Sequence, residues 1–297
     1  MGKILVTGAS GSLGRKTLLA LLKRRPADDL VALVRDPAKA DDLRALGIEL
    51  RQGDYHDRAS LTSALAGLEK VMLTSAHAFT DRNTAHANVI DAAVKNGVSH
   101  VVFMSIIRNS DFTMKEITAD DLFAEEKLRS SGLDWTIVRH PPFFEILGFY
   151  MGLQAHETGV RILEGDGKFA PATRDDLAEA HAAILAGDGH ASKAYALAGS
   201  PAVSFREIAG ILSDIVGREV SYTPLGHDAY VEHLKASAGV PDFIAEFAFE
   251  WVRGMNAGEW GPETGDLEVL LGRRPTTASD YFRDVYVPAA RQAATIA

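Results

Sequence analysis

Three glycines, Gly8, Gly11 and Gly14, stand in the run Thr7-Gly8-Ala9-Ser10-Gly11-Ser12-Leu13-Gly14, between a short apolar segment and an amphipathic one. At a strand-to-helix junction this spacing does phosphate chemistry. One glycine permits the tight turn, a second lets backbone approach a pyrophosphate, and the third lets the helix lie close to the sheet. The N–H groups at the helix start then face the anion. Its place at the first such junction makes the run a dinucleotide site rather than a plain turn. At the end of the second apolar segment, where an acidic residue would take the adenosine ribose of NAD, the order is Val34-Arg35-Asp36-Pro37. Arg35 can pair with a 2′-phosphate, so NADP(H) is expected ahead of NAD(H), with Lys39 as a second cation. Asp36 keeps the NAD(H) reading open. After the third segment, Asp54 can receive the adenine amino group and Tyr55 can cover the ring, although Asp54 could equally cap its own loop.

A second group of residues lies at 140–151. His140 follows the sixth apolar segment, at the edge of the sheet where ligands bind in this architecture. It could donate a proton or hydrogen-bond an acceptor oxygen, or merely satisfy backbone beside Pro141 and Pro142. Phe143, Phe144, Phe149, Tyr150 and Met151 could form an aromatic slot, with only one or two expected to touch a ligand and the rest to pack. Ser105 is a hydrogen-bond donor to substrate on this reading, and with no His or Asp motif beside it a hydrolase is rejected. The histidines lack metal-ligand spacing, so no metal is expected. The chain has no cysteine, which excludes disulfides, thiolate nucleophiles and iron–sulfur clusters and makes any redox work depend on an external cofactor.

The elements that must position these residues follow from the apolar pattern. Short runs rich in Val, Ile and Leu at 3–7, 30–34, 48–52, 71–74, 101–104 and 135–138 alternate with amphipathic helix-length segments, the pattern of a doubly wound parallel sheet. The fold class is α/β, a Rossmann sheet with a smaller, mostly C-terminal α/β lobe. Residues 1–142 plus about 170–200 form the nucleotide-binding part, and 143–169 plus 201–297 the substrate lobe. A hairpin is expected around Gly165-Asp166-Gly167, a further strand at 195–198, and capping boxes at Thr173/Asp176 and Ser204/Glu207. The 297 residues are 46% apolar and carry a net charge of −9, values that disfavour disorder and binding to nucleic acid or anionic membrane. No apolar run spans a bilayer, so the expectation is a cytoplasmic protein without membrane partners. Homodimerisation is compatible with the sequence and not specified by it.

The pieces TGASGSLG, LVRDPAKA and RQGDYHDRASLTSALAG, continued by HANVIDAAVKNGVSHVVFMS, EEKLRSSGLDWTIVR, GDGKFAPATRDDLA and YALAG, resemble the NmrA-like group of atypical short-chain dehydrogenases. Within that group the likeness is to bacterial NADPH-dependent quinone oxidoreductases and triphenylmethane reductases. It implies a dinucleotide held between the two lobes with an apolar acceptor against the nicotinamide. By position, Gly8, Ser10, Gly11, Ser12 and Leu13 would hold the pyrophosphate, Arg35 the 2′-phosphate, and Asp54 with Tyr55 the adenine. Ser75, Ala76 and Ser105 would lie along the ribose and nicotinamide. The chain departs from the group around His140-Pro141-Pro142.

The larger superfamily uses a Tyr-x-x-x-Lys pair. Registered on Glu125 and the following Ser-Ser-Gly, its places are taken by Ile117 and Asp121, and Phe123-x-x-x-Lys127 keeps the spacing without the phenol. A carbonyl reductase benefits from such a positioned acid. A quinone yields a delocalised phenolate that water can protonate, and a cationic triarylmethane needs no proton. The expected function is therefore NADPH-dependent hydride transfer to a quinone-like or other conjugated aromatic acceptor, with an NADP(H)-sensing regulator as the alternative.

Overall fold

Residues 2–108, 112–199, 201–262 and 264–296 are described in the computed structural model. The apolar runs become strands β1 (Lys3–Val6), β2 (Leu30–Val34), β3 (Glu49–Gln52), β4 (Leu68–Leu73), β5 (His100–Ile106) and β6 (Asp134–His140). Three more follow, β7 (Val160–Leu163), β8 (Lys193–Ala196) and β9 (Tyr222–Leu225). Seven of them form one sheet in the order β3-β2-β1-β4-β5-β6-β8, every pairing parallel. All five residues of β2 are buried, as a strand covered on both faces requires. Chain direction of growth reverses at β1, which pairs with β2 on one side and β4 on the other. The crevice beyond the carboxyl ends of β1 and β4 is the place where such sheets bind ligands.

Helices cover both faces. Leu13, Leu18 and Leu21 of the helix Ser12–Leu22 pack with Ile4 and Val6 and with Leu177, Ile184 and Leu185 of the helix Arg174–Ala186. On the other face Leu5 and Val31 meet Leu61, Val89, Ile90 and Leu128, carried by the helices Arg58–Ala64, Arg82–Lys95 and Lys115–Arg129. The alternation of Ile4, Leu5 and Val6 between these two clusters is the two-residue period of a strand.

A separate cluster is built from Phe144, Phe169, Phe205, Tyr230, Trp260 and Phe282, all buried, together with the helices Phe144–Met151, Phe205–Val216, His227–Ala238 and Asp242–Asn256. Ser204 and Glu207 make the complete capping box, and Gly217 ends that helix at φ 71°. At Thr173 only half of the expected box forms. Its side chain accepts the Asp176 N–H at 3.1 Å, but the Asp176 carboxylate turns to Arg273 and the Thr276 N–H. The expected hairpin at Gly165-Asp166-Gly167 is corrected: β7 pairs in parallel with β9, Val160 opposite Tyr222, and the glycines instead turn the chain beside Asn256, whose carbonyl accepts the Gly167 N–H at 3.1 Å. Near the chain's end the short helix Asp266–Leu271 returns to the sheet, where Leu267 joins the cluster around Leu18. Among the described residues no helix is long and apolar enough to cross a membrane.

Candidate functional site

A groove of about 390 Å³ runs over the carboxyl ends of β1 and β2 and is lined by Gly8, Ser10, Gly11, Arg35, Asp54, Tyr55, Ser75 and Ala76, among others. Gly8 adopts φ 61°, a left-handed conformation that disfavours a side chain. A Cβ on Gly14 would stand 2.6 Å from the Gly8 carbonyl oxygen, so the helix can meet the turn this closely only without one. The N-cap is Gly11, with no side-chain cap and no acidic residue in the first turn, leaving backbone donors free of an internal partner at the groove, as an anion site requires. Ser12 is exposed at the helix start and Leu13 is buried under it.

Arg35 is exposed on the groove, and its guanidinium makes no hydrogen bond or ion pair among the described residues. The neighbouring Asp36 is occupied, its carboxylate accepting the Ala38 N–H at 3.1 Å. Lys39 is exposed on the same turn but outside the groove lining. Asp54 caps its loop through the His56 N–H at 2.8 Å while still lining the groove. Tyr55 fixes its hydroxyl to the Thr7 hydroxyl and to the Thr74 carbonyl, tying the ends of β1 and β4 and leaving its ring as a wall.

Ser75, Ala76 and His77 also line a second cavity of about 440 Å³. Its other walls are Met104, Ser105, Ile106, His140, Pro141, Pro142, Phe143, Ile146, Tyr150, Phe247 and Trp251, with Arg82, Asp121 and Arg174 as charged members. Phe143, Ile146 and Tyr150 recur three and four residues apart and form one face around the helix Phe144–Met151. Phe144 lies on the other face, buried and stacked on Tyr281 at 4.9 Å, so the sequence expectation that it touches a ligand is not matched by its position. Phe79, from the loop after β4, meets Phe243 and Phe247 of the helix Asp242–Asn256 at 5.4 and 4.9 Å.

Ser105 gives its hydroxyl hydrogen to Glu125 Oε1 at 2.6 Å, so toward the cavity its oxygen is an acceptor rather than the expected donor. Glu125 is fully buried and also takes Arg108 at 3.0 Å and Arg139 at 2.7 Å. Burial alone would raise its carboxyl, but the hydrogen bonds from Arg139, Arg108 and Ser105 outweigh it and hold the group at about 2. His140 Nε2 shares one proton with His181 Nε2 at 2.8 Å, and His181 Nδ1 meets the Thr17 hydroxyl at 3.1 Å. Burial holds both rings neutral, His140 well below the usual imidazole range and His181 at about 3.

Interactions of Arg82, Asp121 and, behind the cleft, His86 escaped sequence reasoning. Arg82 donates to Asp121 at 2.7 Å and to the Ser75 hydroxyl at 2.8 Å. His86 Nε2 accepts the Ala76 N–H at 2.9 Å, which requires the neutral ring that burial enforces, its pKa pushed down to about 3. Asp121 pairs with Arg82, a cation from the preceding helix. The side chain of Ile117 lies outside the described ones. Phe123 is exposed, and Lys127 pairs with Asp91 at 2.7 Å.

A family profile described as NAD(P)H-binding matches residues 8–188. Quinone oxidoreductase 2 of Escherichia coli is 37% identical over 278 residues, covering 93% of this chain and 96% of that protein. The Citrobacter triphenylmethane reductase complexed with NADP(H) superposes with a TM-score of 0.87 at 29% identity, over 94% of this chain and 98% of its own. An Escherichia coli NADPH-dependent quinone oxidoreductase complexed with NADPH gives 0.86 at 35% identity, over 93% and 97%.

Proposed function

Since the chain belongs to the NAD(P)H-binding, NmrA-like family of oxidoreductases, we propose that it reduces a quinone-like or similarly conjugated aromatic acceptor with NADPH and without a Tyr–Lys pair. The observation that carries this reading is the joining of a phosphate-ready groove to a mostly apolar cavity through the shared residues Ser75, Ala76 and His77. The quinone and dye reductases among its relatives support the acceptor class.

The residues fit the cofactor. Gly8, Ser10, Gly11, Ser12 and Leu13 would hold the pyrophosphate with the uncapped helix start, Arg35 the 2′-phosphate with Lys39 nearby, and Asp54 with Tyr55 the adenine. Ser75, Ala76 and the acceptor oxygen of Ser105 would hold the ribose and carboxamide. When bound, the reduced nicotinamide supplies a hydride; the protein supplies orientation and exclusion of water. Phe143 and Tyr150, with Phe247 and Trp251 opposite the sheet, provide a slot for a planar ring. His140 is held neutral with Nε2 engaged by His181, so it walls the cavity and the phenolate product takes its proton from water. On this reading residues 1–142 with about 170–200 are the nucleotide-binding part and the remainder the acceptor lobe.

The test is loss of reduced-nicotinamide absorbance with NADPH and NADH against quinones, a cationic triarylmethane dye and simple aldehydes. Rapid NADPH oxidation with quinones or dye and little with aldehydes is expected. Tight NADPH binding with no oxidation across the panel would replace this reading with that of an NADP(H)-sensing regulator.

A further inference from the structure

The acceptor cavity is apolar over most of its wall, yet its lining carries two cations, Arg82 and Arg174, against one anion, Asp121. Arg82 and Asp121 satisfy each other at 2.7 Å. Arg174 is different. Its guanidinium lies over the Phe143 ring at 4.6 Å and makes no hydrogen bond among the described residues. It is ion-paired with Glu145, Nη1 to Oε2 at 3.5 Å, and the other oxygen of that carboxylate accepts the Arg174 backbone N–H at 2.8 Å. Glu145 does not line the cavity, whereas Arg174 does.

Tyr150 lies on the same cavity and is only 6% exposed, and its hydroxyl makes no hydrogen bond to any described residue. Burial raises its pKa, the Arg174 charge works against that rise, and the phenol stays protonated. The guanidinium keeps N–H groups that Glu145 does not take, and the phenol O–H has no acceptor among the described residues, so both can serve a ligand in the cavity. The guanidinium can only donate and the protonated phenol has one hydrogen to give, and the guanidinium fork matches an oxyanion.

We propose that Arg174 and Tyr150 form an oxyanion-recognising corner of the acceptor cavity, so that the acceptor is a planar conjugated molecule carrying an anionic oxygen substituent such as a sulfonate, a carboxylate or an ionised hydroxyl. This rests on the cavity being the acceptor site. The aromatic ring lies in the slot beside Phe143, and the substituent takes the donors of Arg174 and Tyr150. Neutral quinones enter the same slot without using this corner.

The first experiment measures binding without turnover. Naphthalene-2-sulfonate and the neutral naphthalene-2-sulfonamide are titrated into protein saturated with NADP+. The wild type is expected to bind the sulfonate at least about tenfold more tightly, the factor that ~1.4 kcal/mol represents. Arg174→Met should erase the preference, Arg174→Lys should keep part of it, and Tyr150→Phe should reduce it about threefold. Equal binding of the two probes by the wild type, or a preference that survives Arg174→Met in protein of wild-type melting temperature, overturns the proposal. The second experiment compares kcat/KM for 1,4-naphthoquinone and its 2-sulfonate, whose ratio should fall at least tenfold in Arg174→Met. If no acceptor is turned over, the reductase reading fails while the binding comparison still decides the corner. If both quinones are reduced with no preference for the sulfonate, the corner fails alone.

Discussion

Arg35 is exposed, without a hydrogen-bond or ion-pair partner for its guanidinium among the described residues, and beside an aspartate already spent on its own turn. A charge-assisted pair to a 2′-phosphate is worth roughly 1.5–3 kcal/mol, so Arg35→Ser should raise the Kd for NADPH by at least tenfold and that for NADH by less than about twofold. Fluorescence titration with both nucleotides checks this, and equal losses remove the assignment. His140 makes the opposite kind of prediction. With its Nε2 bonded to His181 and its ring neutral, His140→Ala should slow a quinone and a cationic dye by the same factor in steady-state assays. A selective loss on the quinone would return the histidine to the role of acid. At this scale the sequence was readable in placing Arg35 and the glycine turn together on one groove, because each stands at the end of a strand. It was unreadable for Arg82 and His86, whose partners Asp121, Ser75 and Ala76 come from other elements. Phe144 was within reach, because positions 144, 147 and 151 share a helix face and 143, 146 and 150 another.

The helix Lys115–Arg129 is fastened to the sheet through Glu125, which gathers Ser105 and Arg108 near the end of β5 and Arg139 from β6. Glu125→Gln leaves these cations without their anion in a buried place, and breaking such a cluster costs about 3–5 kcal/mol. The urea midpoint should fall accordingly, and a loss under about 1 kcal/mol would show that water already reaches the cluster. Strands β1 to β6 and the helix capped by Ser204 were legible because their signals are local: short apolar runs, a 3.6-residue period and a capping box. The pairing of β7 with β9 was not, since Val160 meets Tyr222 across an intervening strand and two helices. The glycines at 165–167 give the composition of a hairpin turn but carry no information about that distant partner.

For the whole molecule, pH response follows from histidines packed inside. Burial pushes His86 and His181 to about 3 and His100 to about 4, and His140 lower than an ordinary imidazole. The unfolded chain protonates these rings near 6.5, so between roughly pH 6.5 and 4 it binds more protons than the folded one. Their contribution is therefore complete above pH 6.5 and is lost as pH falls, by about 1.4 kcal/mol per pH unit for each ring. Unfolding free energies from urea titrations should be several kcal/mol lower at pH 5 than at pH 7.5, and a flat profile would contradict the burial of these rings. The fold class was legible at this scale because six apolar runs alternate with helices. The cavity beside Ser75–His77 was legible only in part: the slot expected at 143–151 supplies Phe143 and Tyr150, but Arg82, Asp121, Arg174, Phe247 and Trp251 come from separate stretches of chain that no local pattern connects.

Residues 75–77 form wall for both the groove and the cavity, pinned from behind by Arg82 and His86, and the same loop reaches Phe243 and Phe247 through Phe79. A partition common to two compartments cannot be indifferent to what fills either. On the proposed function, occupation of the nucleotide side would complete the floor for the second molecule, and the expected order is dinucleotide first in and last out. Initial-rate lines at varied acceptor should then intersect rather than run parallel, and oxidised nucleotide should compete with NADPH alone.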